Sequence, residues 1–236
     1  MSALNILHVF RAPVGGLFRH VRDLAREQIA RGHRVGLIAD STTGGTRAEQ
    51  VLSELAPSLP LGLTRYPMHR HVNPGDVFAL AHVMRRAIAA KADVVHGHGA
   101  KGGAYARMLF NRPQAVRAYT PHGGSLLFGH DTLAGKVYLN TERLLMLRGD
   151  LFLFESAFSM EMFRRKIGTP RGLVRVVHNG VSRAEFEPVA AKPDATDLVF
   201  MGELRDLKGI NVLIDAVALL HRDGRRVTLT VVGDGR

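Results

Sequence analysis

Short apolar runs alternate with segments of helical period along most of this chain. Asn5–Phe10 is the first run, followed by a loop carrying Gly15 and Gly16. Leu17, Val21, Leu24, Ala25 and Ile29 then recur at helical spacing, and Gly32 sits where a helix C-cap belongs. Arg34–Ala39 reads as the next strand, Ser41–Thr46 as a turn-rich loop and Leu63–Tyr66 as a weak strand. From about Asp76 the pattern turns helical, with Val77, Leu80, Ala81, Met84 and Ile88 on one face. Val94–His98 is a buried strand entering a glycine-rich turn. A strand at Val116–Tyr119, a helix near Leu133–Arg148, a strand at Leu151–Phe154, a helix from Ser156 and a strand at Val174–His178 follow. Strands alternating with helices predict an α/β fold, a doubly wound, Rossmann-like parallel sheet covered on both faces.

The pattern lapses at Ser182–Thr196, which is rich in Ala, Pro and charge and reads as a linker. The expected division is a first domain at 1–182, a linker at 183–196 and a second unit at 197–236. That last unit shows a buried strand, a glycine turn carrying Lys208, an amphipathic helix and a second buried strand ending in Gly233-Asp234-Gly235. One βαβ unit buries too little apolar surface to fold alone. The chain therefore reads as a whole first domain followed by the incomplete start of a second.

Composition adds three constraints. A hydrophobic content of 46% with only 10 prolines excludes a disordered chain. No run is long and apolar enough to span a membrane, and the N-terminus lacks the basic and apolar regions of a secretory signal. With no cysteine there is neither a disulfide framework nor a thiolate metal site, which agrees with a cytoplasmic location. The net charge of +11 is spread along the chain without a block of like charges, so nucleic acid is not an expected partner. Peripheral attraction to the inner face of a membrane is the second use of such a surface.

The unusual residues fall at strand ends, where open parallel sheets bind ligands. Gly15 and Gly16 close a strand and open a helix; they serve either a tight turn or close approach of a ligand to free N–H groups. Gly97-x-Gly99-x-x-Gly102 formally matches a dinucleotide fingerprint, but Arg117–His122 holds no acidic residue to complete it. His69/His71 and His96/His98 form His-x-His pairs of the kind seen in metal hydrolases. The carboxylates such a site wants are absent beside His122 and His178, so no metal is expected. In Thr120-Pro121-His122-Gly123-Gly124, proline and two glycines set an unusual backbone path that presents His122 at the strand ends.

Those segments taken in order carry a resemblance. GG before the first helix, ARGHRV after it, VVHGHG, TPHGG, VVHNGV, GELRDLKG and VVGDG resemble the family 4 glycosyltransferases, over almost the whole chain. The resemblance implies the first domain of a GT-B fold, a retaining sugar transfer from a nucleotide-sugar donor to a hydroxyl acceptor (a glycan or lipid-linked group), and no cofactor. It places His122 beside the donor sugar, Asn179 and Gly180 at the turn entering the cleft, and Gly202 and Lys208 in the phosphate-binding turn. Gly15 and Gly16 fall on the donor side; His20, His96, His98 and Lys101 are acceptor candidates in the first domain. The family commonly has Arg after the glycine where this chain has Glu203, so Arg205 is the expected substitute cation. No Asp-x-Asp is present, so Lys208, Arg205 and helix N-termini are expected to neutralise the diphosphate. The 236-residue chain is expected not to catalyse transfer by itself. Two other readings stand beside this one: a non-catalytic nucleotide- or phosphate-binding module, and a His-ligated metal hydrolase.

Overall fold

The computed structural model describes residues 2–111 and 114–235. It separates into two compact units with the boundary between Val181 and Ser182. The first unit holds β1 (Asn5–Phe10), α1 (Gly15–Ala30), β2 (Arg34–Asp40), α2 (Gly45–Leu55), β3 (Leu63–Tyr66), α3 (Gly75–Ala89) and β4 (Val94–His98). It continues with α4 (Gly99–Arg107), β5 (Val116–Thr120), α5 (Leu133–Met146), β6 (Leu151–Phe154), α6 (Ala157–Lys166) and β7 (Leu173–Val176). All seven strands are parallel in the order β3-β2-β1-β4-β5-β6-β7. The order reverses between β1 and β4, which is the topological switch point of a doubly wound sheet.

Successive side chains on a strand face opposite ways, so each central strand feeds two cores. Ile6, Phe10, Val35, Leu37 and Ala39 pack with Phe18, Val21 and Ala25 of α1 and Leu52 and Leu55 of α2. Leu7, Val9, Ile38 and Val95 pack on the other face with Ala79, Val83 and Ala87 of α3 and Tyr105 and Ala106 of α4. Tyr119, Phe152 and Phe154 form a third cluster with Leu139 of α5 and Phe163 of α6.

Several local expectations are corrected. Ser41–Thr46 is not all loop, because α2 begins at Gly45 and buries Ala48, Leu52 and Leu55. The buried stripe of α3 is Ala79, Val83 and Ala87; Val77 is 68% and Ile88 49% exposed. Ala79, Val83 and Ala87 join the core cluster of the sheet and α4, with Leu80 and Met84 partly buried against it. The last strand stops at Val176 rather than His178. The glycine-rich turn after β4 is the helix α4, despite its three glycines at 99, 102 and 103.

Those glycines explain the GxGxxG match. A Cβ on Gly97 would lie 2.2 Å from the Gly102 carbonyl oxygen, and one on Gly102 would lie 2.1 Å from that of Val9. A Cβ on Gly103 would strike the Tyr119 ring at 2.1 Å. The spacing brings α4 against β1, β4 and β5 at backbone distance, a packing role that needs no dinucleotide.

The second unit contains β8 (Leu198–Met201), α7 (Ile210–Arg222) and β9 (Leu229–Val232), with β8 and β9 paired in parallel. Its strands are not buried as the apolar pattern implied: Val199 is 66% and Met201 79% exposed, and Ile210 is the unit's buried apolar residue among those described. The polar ends of both strands meet, Gly202 N–H donating to Val232 O at 3.0 Å and Leu204 N–H to Asp234 O at 2.8 Å. Lys208 closes a short 3-10 turn beside Gly209, whose φ of 73° starts α7.

Candidate functional site

Strands buried on both faces normally read as unbroken apolar runs. Three histidines interrupt that rule at the switch point. His8 of β1 and His96 of β4 are register partners, and His98 lies two residues further along β4, opposite Phe10. All three are buried, on the face that α1 covers. His20 and Gln28 reach them from α1, and His122 reaches them from the loop after β5. The five imidazoles make one cluster, with ring centroids 5.1 Å apart for His8 and His98, 3.9 Å for His96 and His98, 5.4 Å for His98 and His122 and 4.9 Å for His20 and His122.

Polar contacts inside the cluster are specific. His8 Nε2 lies 2.8 Å from Gln28 Oε1, and His8 Nδ1 lies 2.9 Å from His98 Nε2. His98 Nδ1 lies 3.2 Å from His122 Nε2, and His96 Nε2 lies 2.8 Å from Thr120 Oγ1. Burial sets the charge state. It pushes His8 and His122 down to about 4 and holds His96 and His98 well below the usual histidine range. His20 is lowered by burial as well, opposed by its hydrogen bond to Asn179 and by the carboxylates of Glu155 and Asp23. The cluster is therefore uncharged near neutral pH.

His122 has φ of 50°, in the left-handed region that a non-glycine residue rarely adopts. Gly123 and Gly124 continue the path with φ of 78° and 33°. A Cβ on Gly124 would sit 3.1 Å from Ala100 N, so the loop lies against the N-terminal turn of α4. Behind it, Ser125 and Tyr119 donate to Glu142 Oε1, each at 3.0 Å, while the buried Arg107 donates to Glu142 Oε2 at 2.8 Å. The strained segment thus rests on a buried ion pair.

The other expected site residues fall in different settings. Gly15, with φ of 63°, and Gly16 are the first turn of α1 rather than a loop before it. Lys101 lies in α4, and its Nζ binds the Asp76 carboxylate and, at 3.0 Å, the His71 carbonyl. His69 and His71 are exposed, and neither belongs to the histidine trios among the described residues. Asn179 and Gly180 are exposed, with Asn179 bonded to His20. In the second unit, Arg205 Nη1 lies 3.2 Å from Glu203 Oε2, so this cation faces the carboxylate it was expected to outweigh. Lys208 is exposed and Gly202 half-buried.

Sequence reasoning missed His8, Gln28 and Glu155. His8 hides inside an apolar strand, and its one visible signal is a polar residue at a position that should be buried. Glu155, at the end of β6, accepts from Ser159 at 3.2 Å through Oε1, while its buried Oε2 has no hydrogen-bond partner. His20, His98 and His122 bring ring nitrogens within 4.8 Å of one another, as do His8, His96 and His98. Either trio could share an ion with imidazole ligands. A separate cavity of about 410 Å³ lies between α1 and α2, lined by Phe18 and Val51 and by Arg19, Arg22 and Arg47.

Comparison with known proteins gives the family and the fold. Residues 14–185 match the profile of Glycosyltransferase Family 4. Glycogen synthase of Mycobacterium tuberculosis is 23% identical over 242 residues, covering 94% of this chain and 58% of that protein. The chain thus spans little more than half the length of that curated relative. A glycosyltransferase from Rickettsia africae superposes with a TM-score of 0.70 at 19% identity, covering 99% of this chain and 61% of the other. HepE of Anabaena, solved in complex with UDP and glucose, gives 0.70 at 18% identity, covering 99% and 62%. No helix among the described residues is long and apolar enough to cross a membrane. With the profile covering most of its length and a Rossmann-like sheet shared with GT-B glycosyltransferases, the chain belongs to glycosyltransferase family 4.

Proposed function

We propose that the protein transfers a sugar from a nucleotide-activated donor to an acceptor hydroxyl, with retention of anomeric configuration. The observation that carries this reading is His122, uncharged, held in left-handed backbone and set at the strand ends beside the switch point. Family membership supports glycosyl transfer, and the bound UDP and glucose of the similarly folded HepE support a nucleotide sugar as donor. In this reading 1–182 carries the acceptor, a glycan or a lipid-linked group, with His20 and Lys101 on that side, while the buried His96 and His98 support it from within the sheet and do not touch it. Residues 183–196 link it to 197–236, the start of the donor domain. Gly15, Gly16, Asn179 and Gly180 are the donor-side residues of the first unit, and Gly202 is that of the second.

The chemistry separates a nucleoside diphosphate from an oxocarbenium-like sugar. His122 and its main chain support the developing positive charge, and Lys208 stabilises the leaving diphosphate as preorganised positive charge. Arg205 shares that task once it is drawn from Glu203. The N-termini of α1 and α4 face the same ends of the sheet and favour anions there. No metal is needed in this scheme.

The test is a transfer assay of the full-length gene product with a panel of nucleotide sugars, the product anomer being read by NMR. Lys208→Ala is expected to lower turnover by about 10²–10³. Unchanged turnover would make Lys208 a solvated turn residue, and an inverted product would overturn retention. Binding without turnover by the wild type would return the protein to a nucleotide-binding module.

We further place the protein in the cytoplasm, at the inner face of the membrane through its net charge of +11. It is expected to sediment with vesicles containing anionic lipid and to be released by salt. Equal sedimentation with neutral vesicles would remove the electrostatic contact.

A further inference from the structure

The cluster has a direction. Gln28 presents its carbonyl oxygen Oε1 to His8 Nε2 at 2.8 Å, so His8 must carry its proton on Nε2. A neutral His8 then has a lone pair on Nδ1, which faces His98 Nε2 at 2.9 Å and obliges His98 to be the donor there. His98 Nδ1 is in turn a lone pair, and it faces His122 Nε2 at 3.2 Å. His122 therefore donates from Nε2, and its Nδ1 is left as an acceptor. Each assignment follows from the one before it, because a neutral imidazole has one donor and one acceptor. Burial keeps all three rings neutral, which is the condition the chain of reasoning requires.

We propose that Gln28, His8 and His98 form a one-way hydrogen-bond relay that holds His122 as its Nε2–H tautomer with Nδ1 as a hydrogen-bond acceptor. Gln28, His8 and His98 are positioning residues; they act on a ligand through His122. The relay rests on these ring-to-ring distances together with the neutrality that burial gives the rings, and its consequence for the ligand rests on the site binding a nucleotide sugar. An acceptor nitrogen on an uncharged ring pairs with a hydroxyl, not with a phosphate oxygen. A hydroxyl is therefore the ligand group that His122 Nδ1 can pair with, leaving a diphosphate to cations and backbone N–H groups.

The relay and a shared ion are alternative uses of the same ring nitrogens. An ion held by His98 Nδ1 and His122 Nε2 needs lone pairs on both nitrogens, which would repel at 3.2 Å in its absence. The relay satisfies the pair with one proton. The closing imidazole N–H into Gln28 gives the ring orientation that a ligand-binding histidine needs, as second partners do at many sites.

Long-range ¹H–¹⁵N spectra of ¹⁵N-histidine-labelled protein report the tautomers directly, with no ligand added. Wild type is expected to show pyrrole-type Nε2 and pyridine-type Nδ1 for His8, His98 and His122. In Gln28→Leu the anchor is lost, and a buried bare N–H costs more than a buried bare lone pair. His122 Nδ1 is then expected to shift toward the pyrrole type, with the amide spectrum otherwise that of the folded protein. Gln28→Glu keeps an acceptor and, recorded at a pH above the His8 titration that its carboxylate raises, should show the wild-type pattern. A pyridine-type Nε2 on wild-type His122, or an unmoved His122 in a folded Gln28→Leu, overturns the relay. So does a pair of pyridine-type nitrogens on His98 and His122 that a chelator abolishes, which would reveal a bound ion instead. UDP-glucose added afterwards reads the separate question. No perturbation of His122 counts against the donor reading and leaves the tautomer result standing.

Discussion

Acidification is expected to destabilise the first unit steeply between pH 6.5 and pH 4. Five histidines have folded pKa values below the ordinary 6.5, with burial the largest cause for each. The unfolded chain therefore binds protons before the folded one does, and stability falls as pH falls. The contribution is complete above about pH 6.5 and is lost as the pH approaches the folded value, about 4 for His8 and His122. For fully buried His8, the loss by pH 5 is about 2 kcal/mol. His96 and His98 add to it, because protonating one of these rings raises the cost of protonating the next. Against a usual domain stability of about 5–15 kcal/mol, this is a large share. Asp40, Asp76 and Asp150 have lowered pKa values, so their contributions fade only below the ordinary carboxylate range. Urea unfolding followed from pH 7 to pH 4.5, with a chelator present throughout, reads the effect. A midpoint that stays level across that range would show that the cluster takes up protons without cost.

Glu142→Ala is expected to cost about 3–5 kcal/mol, the usual penalty for breaking a buried ion pair by removing one partner. Arg107 is fully buried, with its Nε bonded to Gly103 O at 2.9 Å and its guanidinium 3.7 Å from the Tyr119 ring centroid. Its Nη2 has no hydrogen-bond partner even with Glu142 in place. Without the carboxylate, an uncompensated charge stays in the core, and the hydroxyls of Tyr119 and Ser125 lose their acceptor. Replacing both charges, as Arg107→Met with Glu142→Leu, should cost less than Glu142→Ala alone. Denaturant titration of the three proteins is the check, and a single mutant within about 1 kcal/mol of wild type would end the argument. The effect reaches the site, since Ser125 follows His122, Gly123 and Gly124 and fixes where that strained segment ends.

Much of the fold was legible because strand and helix periods are local properties. The runs at Asn5–Phe10, Val94–His98 and Leu151–Phe154 became strands with the bounds their patterns suggest. Helices α2 and α4 escaped because glycine and threonine at their starts imitate loop chemistry; packing on the sheet outweighs that weak propensity. The exposed β8 and β9 show the same limit from the other side, since an apolar run states a preference for burial and not what will cover it.

The sequence by itself determined the parallel α/β class, the family, and the candidacy of His20, His96, His98 and His122. Those follow from period, from order of motifs and from residue chemistry, all readable along one dimension. Tertiary structure alone decided that His8 joins them, because only the pairing of β1 with β4 makes His8 and His96 neighbours. It alone showed why Gly97 and Gly102 are glycines, since carbonyl oxygens 2.2 Å and 2.1 Å from the missing Cβ atoms have no trace in the sequence. The direction of the hydrogen bonds from His122 to Gln28 is of the same kind. A proton's place on an imidazole is set by what stands across from it, and that neighbour is 20 to 90 residues away.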